Sequence, residues 1–149
     1  MNNDNYKEVS ILLVEDDDID AKIVERAFNK LRIANPIVRA KDGVMALELL
    51  RNQTVSQPFI ILLDLNMPRM GGLEMLSELR ADENLSSNVV FVLTTSKDDE
   101  DKTAAYSKHI AGYILKESLQ NNFEDLVKLL DHYWRVVELP NTKNEGYSN

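Results

Sequence analysis

The sequence predicts an α/β fold, a parallel five-strand sheet with helices on both faces. Three observations lead there. Short apolar runs alternate with stretches of helical spacing, which makes five strand-then-helix units. Two of those runs are continuously apolar rather than alternating, so both faces of their sheet are covered. The chain has 149 residues, 44% of them hydrophobic. A domain of that size buries about 70% of its unfolded surface and needs neither metal nor disulfide to fold.

Each unit can be justified in order. Residues 9–14 (VSILLV) form the first apolar run. Ile19, Ile23, Ala27 and Leu31 then recur every four residues, one face of a helix. Residues 36–40 are a short, partly apolar strand. Val44, Leu47 and Leu50 mark the second helix, with Gly43 just before it. Residues 58–63 (PFIILL) read as a fully buried strand, and Leu73, Leu76 and Leu79 as a helix entered through Gly71 and Gly72. Residues 89–93 (VVFVL) are the second fully apolar strand, followed by a polar helix over 98–108. The run Asp98 to Asp101 suits the positive end of that helix. Residues 111–115 (AGYIL) are the fifth strand. Leu119, Phe123, Leu126, Leu130, Trp134 and Val137 trace a last helix over 119–138, about 30 Å long.

Composition narrows the function. Asp and Glu number 25 against 17 Lys and Arg, a net charge of -8. That argues against nucleic-acid binding, which needs a basic surface. There is no cysteine, so disulfides, thiolate metal sites and a Cys nucleophile are excluded. No run approaches the ~20 apolar residues of a membrane span, and the polar start lacks a signal-peptide core. The expected location is the cytoplasm, with no membrane partner. One domain is expected over 9–138, flanked by polar tails at 1–8 and 139–149. That leaves no room for a DNA-binding output domain. No GxxxxGK or GxGxxG loop is present to cradle a nucleotide, and His109 and His132 are isolated.

In parallel α/β sheets ligands bind at the carboxyl ends of the strands. Glu15, Asp16, Asp17 and Asp18 follow the first run, Asp64 the third, Thr94, Thr95 and Ser96 the fourth, and Lys116 the fifth. Singly, these have ordinary readings. Asp17 or Asp18 suits a helix N-cap, Glu15 and Asp16 suit a solvated loop, Thr94 a strand end, and Lys116 the surface. Asp64 is harder to dismiss, because a carboxylate directly after a buried strand is costly without a partner. Together the residues place carboxylates, hydroxyls and one amine on a single sheet edge. Hard oxygen ligands suit Mg²⁺, and a lysine with a hydroxyl suits a phosphoryl group. The shared task is phosphoryl transfer onto a carboxylate.

VEDD at 14–17, LLDLNMP at 62–68, LTTS at 93–96 and YILK at 113–116 resemble the receiver domain of two-component response regulators. The spacings agree: Thr94 lies 30 residues and Lys116 52 residues after Asp64. The resemblance covers about residues 9 to 138. It implies a flavodoxin-like (βα)5 fold with strand order 2-1-3-4-5. It also implies that Asp64 is the phosphoacceptor and that Glu15 and Asp16 form the acid pocket. Mg²⁺ would be held by Asp16, Asp64 and the backbone carbonyl of Asn66, with Glu15 acting through water. Thr94 and Lys116 would bind the phosphoryl group, and Thr94 and Tyr113 would form the switch. A sensor histidine kinase would be the phosphoryl donor, and output would be protein contact.

Two positions depart from the family pattern. Glu15 stands where Asp is frequent, which keeps a metal ligand. Glu117 stands where proline usually follows the lysine. A cis bond before a non-proline residue costs about 2.5–4 kcal/mol, so cis and trans both stay open for the Lys116–Glu117 bond, and with them the placement of Lys116. VEDDDIDA at 14–21, the lysine without proline, and YWRVVELP at 133–140 resemble the small stand-alone regulators paired with bacterial and cyanobacterial phytochrome kinases. That resemblance, with the bulky Tyr133, Trp134 and Val137 near the end of the last helix, points to a homodimer through the last-helix face. For Trp134, packing onto the domain's own sheet is the equal alternative.

Two other functions fit less well. A haloacid-dehalogenase-type phosphatase also uses an Asp nucleophile after a buried strand. Its pattern is Asp-x-Asp, and Asn66 here cannot serve as the acid and base. A receiver-like module that is never phosphorylated would not need the full set of motif residues.

Overall fold

The computed structural model describes residues 8–140. The two polar tails expected from the sequence lie almost wholly outside the described residues.

Five strands form one parallel sheet: β1 (Ser10–Val14), β2 (Ile37–Ala40), β3 (Phe59–Leu63), β4 (Val89–Thr94) and β5 (Gly112–Leu115), in the order β2-β1-β3-β4-β5. Five helices connect and cover them: α1 (Asp18–Lys30), α2 (Gly43–Arg51), α3 (Gly72–Ala81), α4 (Asp99–Ser107) and α5 (Glu124–Val136). The expected strand order and three-layer arrangement are what the structure contains. Among the described residues, no helix is long and apolar enough to cross a membrane.

Alternate side chains of each central strand enter two separate cores. Leu12, Val14, Ile61, Leu63, Val90 and Val92 meet α2, α3 and α4 on one face. Ile11, Leu13, Ile60, Leu62, Phe91 and Leu93 meet α1 and α5 on the other. This two-sided burial is why every position of β1 and β3 is buried, and all but Ser10 are apolar.

The register brings the strand ends level. Val14 pairs with Ala40 and Leu63, Leu63 with Val92, and Thr94 with Leu115. The residues that follow therefore emerge along one edge. Asx caps start three of the helices there. Asp17 accepts from Ile19 N at 2.8 Å and Asp20 N at 3.1 Å, Asp42 from Met45 N at 2.9 Å, and Asp98 from Glu100 N at 2.9 Å. At the opposite edge Arg80 ties two loops together, donating to the carbonyls of Ser86, Asn88, Lys108 and His109.

Three sequence expectations need correction. The last helix begins at Glu124, not Leu119. Lys116–Ser118 form a 3-10 turn, and Asn121, Asn122 and Phe123 take left-handed φ values of 56°, 54° and 71°. Leu119 and Phe123 still pack on the α1–α5 core, so apolar spacing continues through a segment that is not helical. The 13-residue helix is about 20 Å long, not 30 Å.

Ile19 is 70% exposed, outside the buried face expected for it. Four residues turn about 400°, so a strict four-residue row drifts about 40° per step around a helix. Ala27 is buried, Ile23 half-buried and Ile19 exposed, and the true inner stripe is Ala21, Val24, Ala27 and Phe28. Trp134 is 1% exposed and packs within its own domain, as the alternative reading of this residue had it. It is not available to an interface.

Candidate functional site at the carboxyl edge of the sheet

Asp64 follows β3 directly and stays bound to the sheet, its N–H donating to the Val14 carbonyl at 3.0 Å. Its side chain is largely buried, and Oδ1 accepts from the N–H of Asn66 at 3.3 Å. Asn66 itself is exposed in the loop beyond. The loop returns tightly: Gly72 N–H donates to the Leu65 carbonyl at 2.9 Å. A Cβ on Gly72 would stand 2.5 Å from the Asp64 carbonyl oxygen and 2.7 Å from Leu65 Cα. Glycine there lets α3 start against the residue bearing the candidate nucleophile.

Glu15 continues β1, its N–H donating to the Ala40 carbonyl at 3.0 Å. Its side chain is 2% exposed, whereas Asp16 beside it is open to solvent. Arg39 on β2 fixes this loop, donating to the Glu15 carbonyl through Nε at 2.9 Å and through Nη2 at 2.8 Å. Oxygens of Glu15, Asp16 and Asp64 all lie within 4.8 Å of one another. Three carboxylates that close, one of them exposed, form a donor set that fits a hard divalent cation with solvent in its remaining positions. Burial pushes the Glu15 carboxyl up to about 7, aided by the charge of Asp64 and opposed by the hydrogen bond from Lys116.

Lys116 reaches into this cluster from the end of β5. Its Nζ lies 2.7 Å from Asp20 Oδ2, 2.8 Å from Glu15 Oε1 and 3.7 Å from Asp64 Oδ2. Burial by itself would lower the ammonium's pKa, but the hydrogen bonds to Asp20 and Glu15 outweigh it and the net direction is up. The Lys116–Glu117 bond, left open by the sequence, is trans. Glu117 pairs instead with Lys97 at 2.8 Å across the surface.

Thr94 ends β4 with no exposed surface, and its Oγ1 accepts from Ser96 N–H at 3.3 Å. The Tyr113 hydroxyl donates to the Ser96 carbonyl at 2.9 Å, and Ser96 Oγ donates to Asp101 Oδ2 at 2.7 Å. Ser96 thus links Thr94, Tyr113 and the first turns of α4. Burial raises the Tyr113 phenol, and the bond to Ser96 opposes it.

The structure therefore gathers Glu15, Asp16, Asp64 and Lys116 into one cluster. Thr94 and Tyr113 lie beside it on the next two strands. Sequence reasoning placed Ser96 among the strand-end hydroxyls without giving it a role, and it missed Asp20 and Gly72 as parts of this site. Asp20 looks like an ordinary acid in a helical first turn, and Gly72 like part of the loop leading into the third helix.

Known proteins resemble this chain in sequence and in fold. The model of the response regulator receiver domain family matches residues 11–130. The chain is 40% identical over 130 residues to the probable methanogenesis regulatory protein FilR2 of Methanothrix harundinacea, covering 83% of this chain and 82% of the relative. It is 34% identical over 138 residues to the response regulator Rcp1 of Synechocystis sp., covering 87% and 92%. The Mn²⁺-bound form of Rcp1 superposes with a TM-score of 0.78 at 31% identity, over 89% of this chain and 99% of that one. The phosphorylated cyanobacterial phytochrome response regulator RcpA gives a TM-score of 0.79 at 32% identity, over 90% and 99%.

Proposed function

Because this chain belongs to the response regulator receiver domain family, we propose that it takes a phosphoryl group from a sensor histidine kinase onto Asp64. The observation that carries this reading is the setting of Asp64. A largely buried carboxylate at a strand end has two further acids within 4.8 Å and the Lys116 ammonium at 3.7 Å. A carboxylate oxygen of Asp64 forms the new O–P bond as the donor's P–N bond breaks, and the leaving imidazole keeps the electron pair. Lys116 neutralises charge on the transferred group, and Thr94 donates its hydroxyl to a phosphoryl oxygen. The receiver unit is taken as residues 9–138.

Asp16 and Asp64 would hold Mg²⁺ directly, with the Asn66 carbonyl as a third protein ligand and Glu15 acting through water. Bound there, the cation offsets the negative charge shared by Asp64 and the phosphoryl oxygens. Thr94 and Tyr113 form the switch. Ser96 already connects them, so a shift of Thr94 toward the phosphoryl group alters the partner of the Tyr113 hydroxyl.

The kinase is taken to be phytochrome-like, a reading supported by the likeness to Rcp1 and RcpA. Those relatives are matched over 92% and 99% of their length, which supports reading the chain as a stand-alone regulator of the same kind; output by protein contact and a cytoplasmic location belong to the same proposal. Self-association as a homodimer through the face of α4, β5 and α5 belongs to the same reading.

Intact-mass analysis with acetyl phosphate and Mg²⁺ tests the core claim. The wild-type chain gains one phosphoryl group, and Asp64→Asn gains none. Equal labelling of the two would overturn the assignment.

A further inference from the structure

Lys116 is held by a carboxylate that phosphoryl transfer does not require. Asp20 Oδ2 accepts from its Nζ at 2.7 Å, whereas Asp64 Oδ2 lies at 3.7 Å. The longer distance is an ion-pair separation and not a hydrogen bond. Of the three donors on the ammonium, two are directed at Asp20 and Glu15. The positive charge is thus drawn toward the first turn of α1 and away from the phosphoacceptor.

Asp20 has no other task that explains this contact. It lies outside the carboxylate trio of Glu15, Asp16 and Asp64. Asp17 already caps the helix. An acid in a first turn also favours the helix dipole, but that role needs no ammonium within hydrogen-bonding distance and is served from solvent. The Asp20 side chain is instead 24% exposed and faces a lysine that is 9% exposed.

We propose that Asp20 is a positioning residue that competes with the phosphoryl group for Lys116, storing the ammonium on α1 until Asp64 is phosphorylated. The inference rests on the reading of Asp64 as phosphoacceptor. It makes phosphorylation a contest between anions. The incoming phosphoryl oxygens must draw the ammonium off one charge-assisted hydrogen bond before they gain its full charge. It also gives α1 a way to sense the event, because Asp20 loses its partner when Lys116 moves.

The test compares wild type with Asp20→Asn and Asp20→Ser, both of which suit a helical first turn. One readout is the acetyl phosphate concentration giving half-maximal labelling with Mg²⁺, by intact mass. The other is the affinity for beryllofluoride with Mg²⁺, a non-reacting phosphoryl stand-in, by calorimetry. Removing the competitor lowers the first and tightens the second roughly three- to tenfold, the scale of one partly exposed charge-assisted hydrogen bond. In a Lys116→Gln background Asp20→Asn has no further effect. A merely structural Asp20 would lower the unfolding midpoint and leave both affinities unchanged, which overturns the inference. So does an effect that persists without Lys116. If wild type is labelled at Asp64 and the Asp20 variants match it, this inference alone fails. An unlabelled wild type removes the phosphoacceptor reading beneath it as well.

Discussion

Trp134 stacks on Phe28, with ring centroids 6.4 Å apart and planes 12° from parallel. The pair joins α5 to α1 inside the core on that side of the sheet, and both rings are about 1% exposed. The last helix is therefore fixed to the domain by its largest side chain.

Trp134→Ala should cost about 3–5 kcal/mol of folding stability, the range for truncating a buried aromatic ring. Urea unfolding followed by circular dichroism measures it. The loss should not depend on protein concentration, because the ring packs within one chain. A loss below about 1 kcal/mol would contradict this packing.

The alternation of strands and helices and the five sheet-edge positions are legible in the sequence because each is local. A continuous apolar run names a buried strand, and the residue after it names the edge. Strand order has no such local marker, and here it comes from the family resemblance. The start of α5 is illegible because Leu119 and Phe123 keep a helical spacing while three residues before Glu124 take left-handed φ. Asp20 is illegible for a different reason. Its partner is 96 residues away, and only the packed chain brings α1 against the end of β5.

Gly72→Ala should impair the site more than its small size suggests. The added Cβ meets backbone, the Asp64 carbonyl oxygen and Leu65 Cα, which cannot rotate away as a flexible side chain could. The start of α3 must shift outward, and the Asp64 carboxyl shifts with it. The expected result is a stability loss of about 1–3 kcal/mol together with weaker Mg²⁺ binding by calorimetry. Gly71→Ala should be milder, since its nearest contact would be 3.1 Å from the Leu65 carbonyl. Equal effects of the two substitutions on Mg²⁺ binding would argue against this account.

Metal binding should depend on pH through Glu15. Burial raises this carboxyl from its ordinary 4.5 to about 7. Between those values the metal-free folded protein keeps a proton that the unfolded chain has lost. Glu15's contribution to stability therefore falls as pH rises across that window and is constant above it. A bound cation favours the charged carboxylate, so Mg²⁺ must displace that proton. Below about pH 7 the apparent affinity should weaken, approaching tenfold per pH unit. Calorimetry in buffers of different ionisation enthalpy counts the released proton directly. Glu15→Gln should abolish the release, and a wild type that releases no proton at pH 6 would refute the role given to Glu15.

Self-association, if it uses the last helix, must use its outer stripe. Leu126, Val127, Leu130 and Trp134 all face inward. Leu129 is 46% exposed and Val136 77% exposed. These two are seven residues apart, about two turns, so they share one side of α5. Tyr106 on α4, 49% exposed, adds a further apolar side chain. A dimer of the proposed kind should therefore be weakened by charge on this stripe. In sedimentation velocity across a concentration series, wild type should shift from monomer to dimer, and Leu129→Lys with Val136→Lys should remain monomeric. Neither substitution touches the buried core, so unfolding midpoints should stay within a few degrees of wild type. Trp134→Ala cannot serve in this test, because it loosens the fold before it reports on any interface. A wild-type chain that remains monomeric at high concentration, phosphorylated or not, rules out the homodimer.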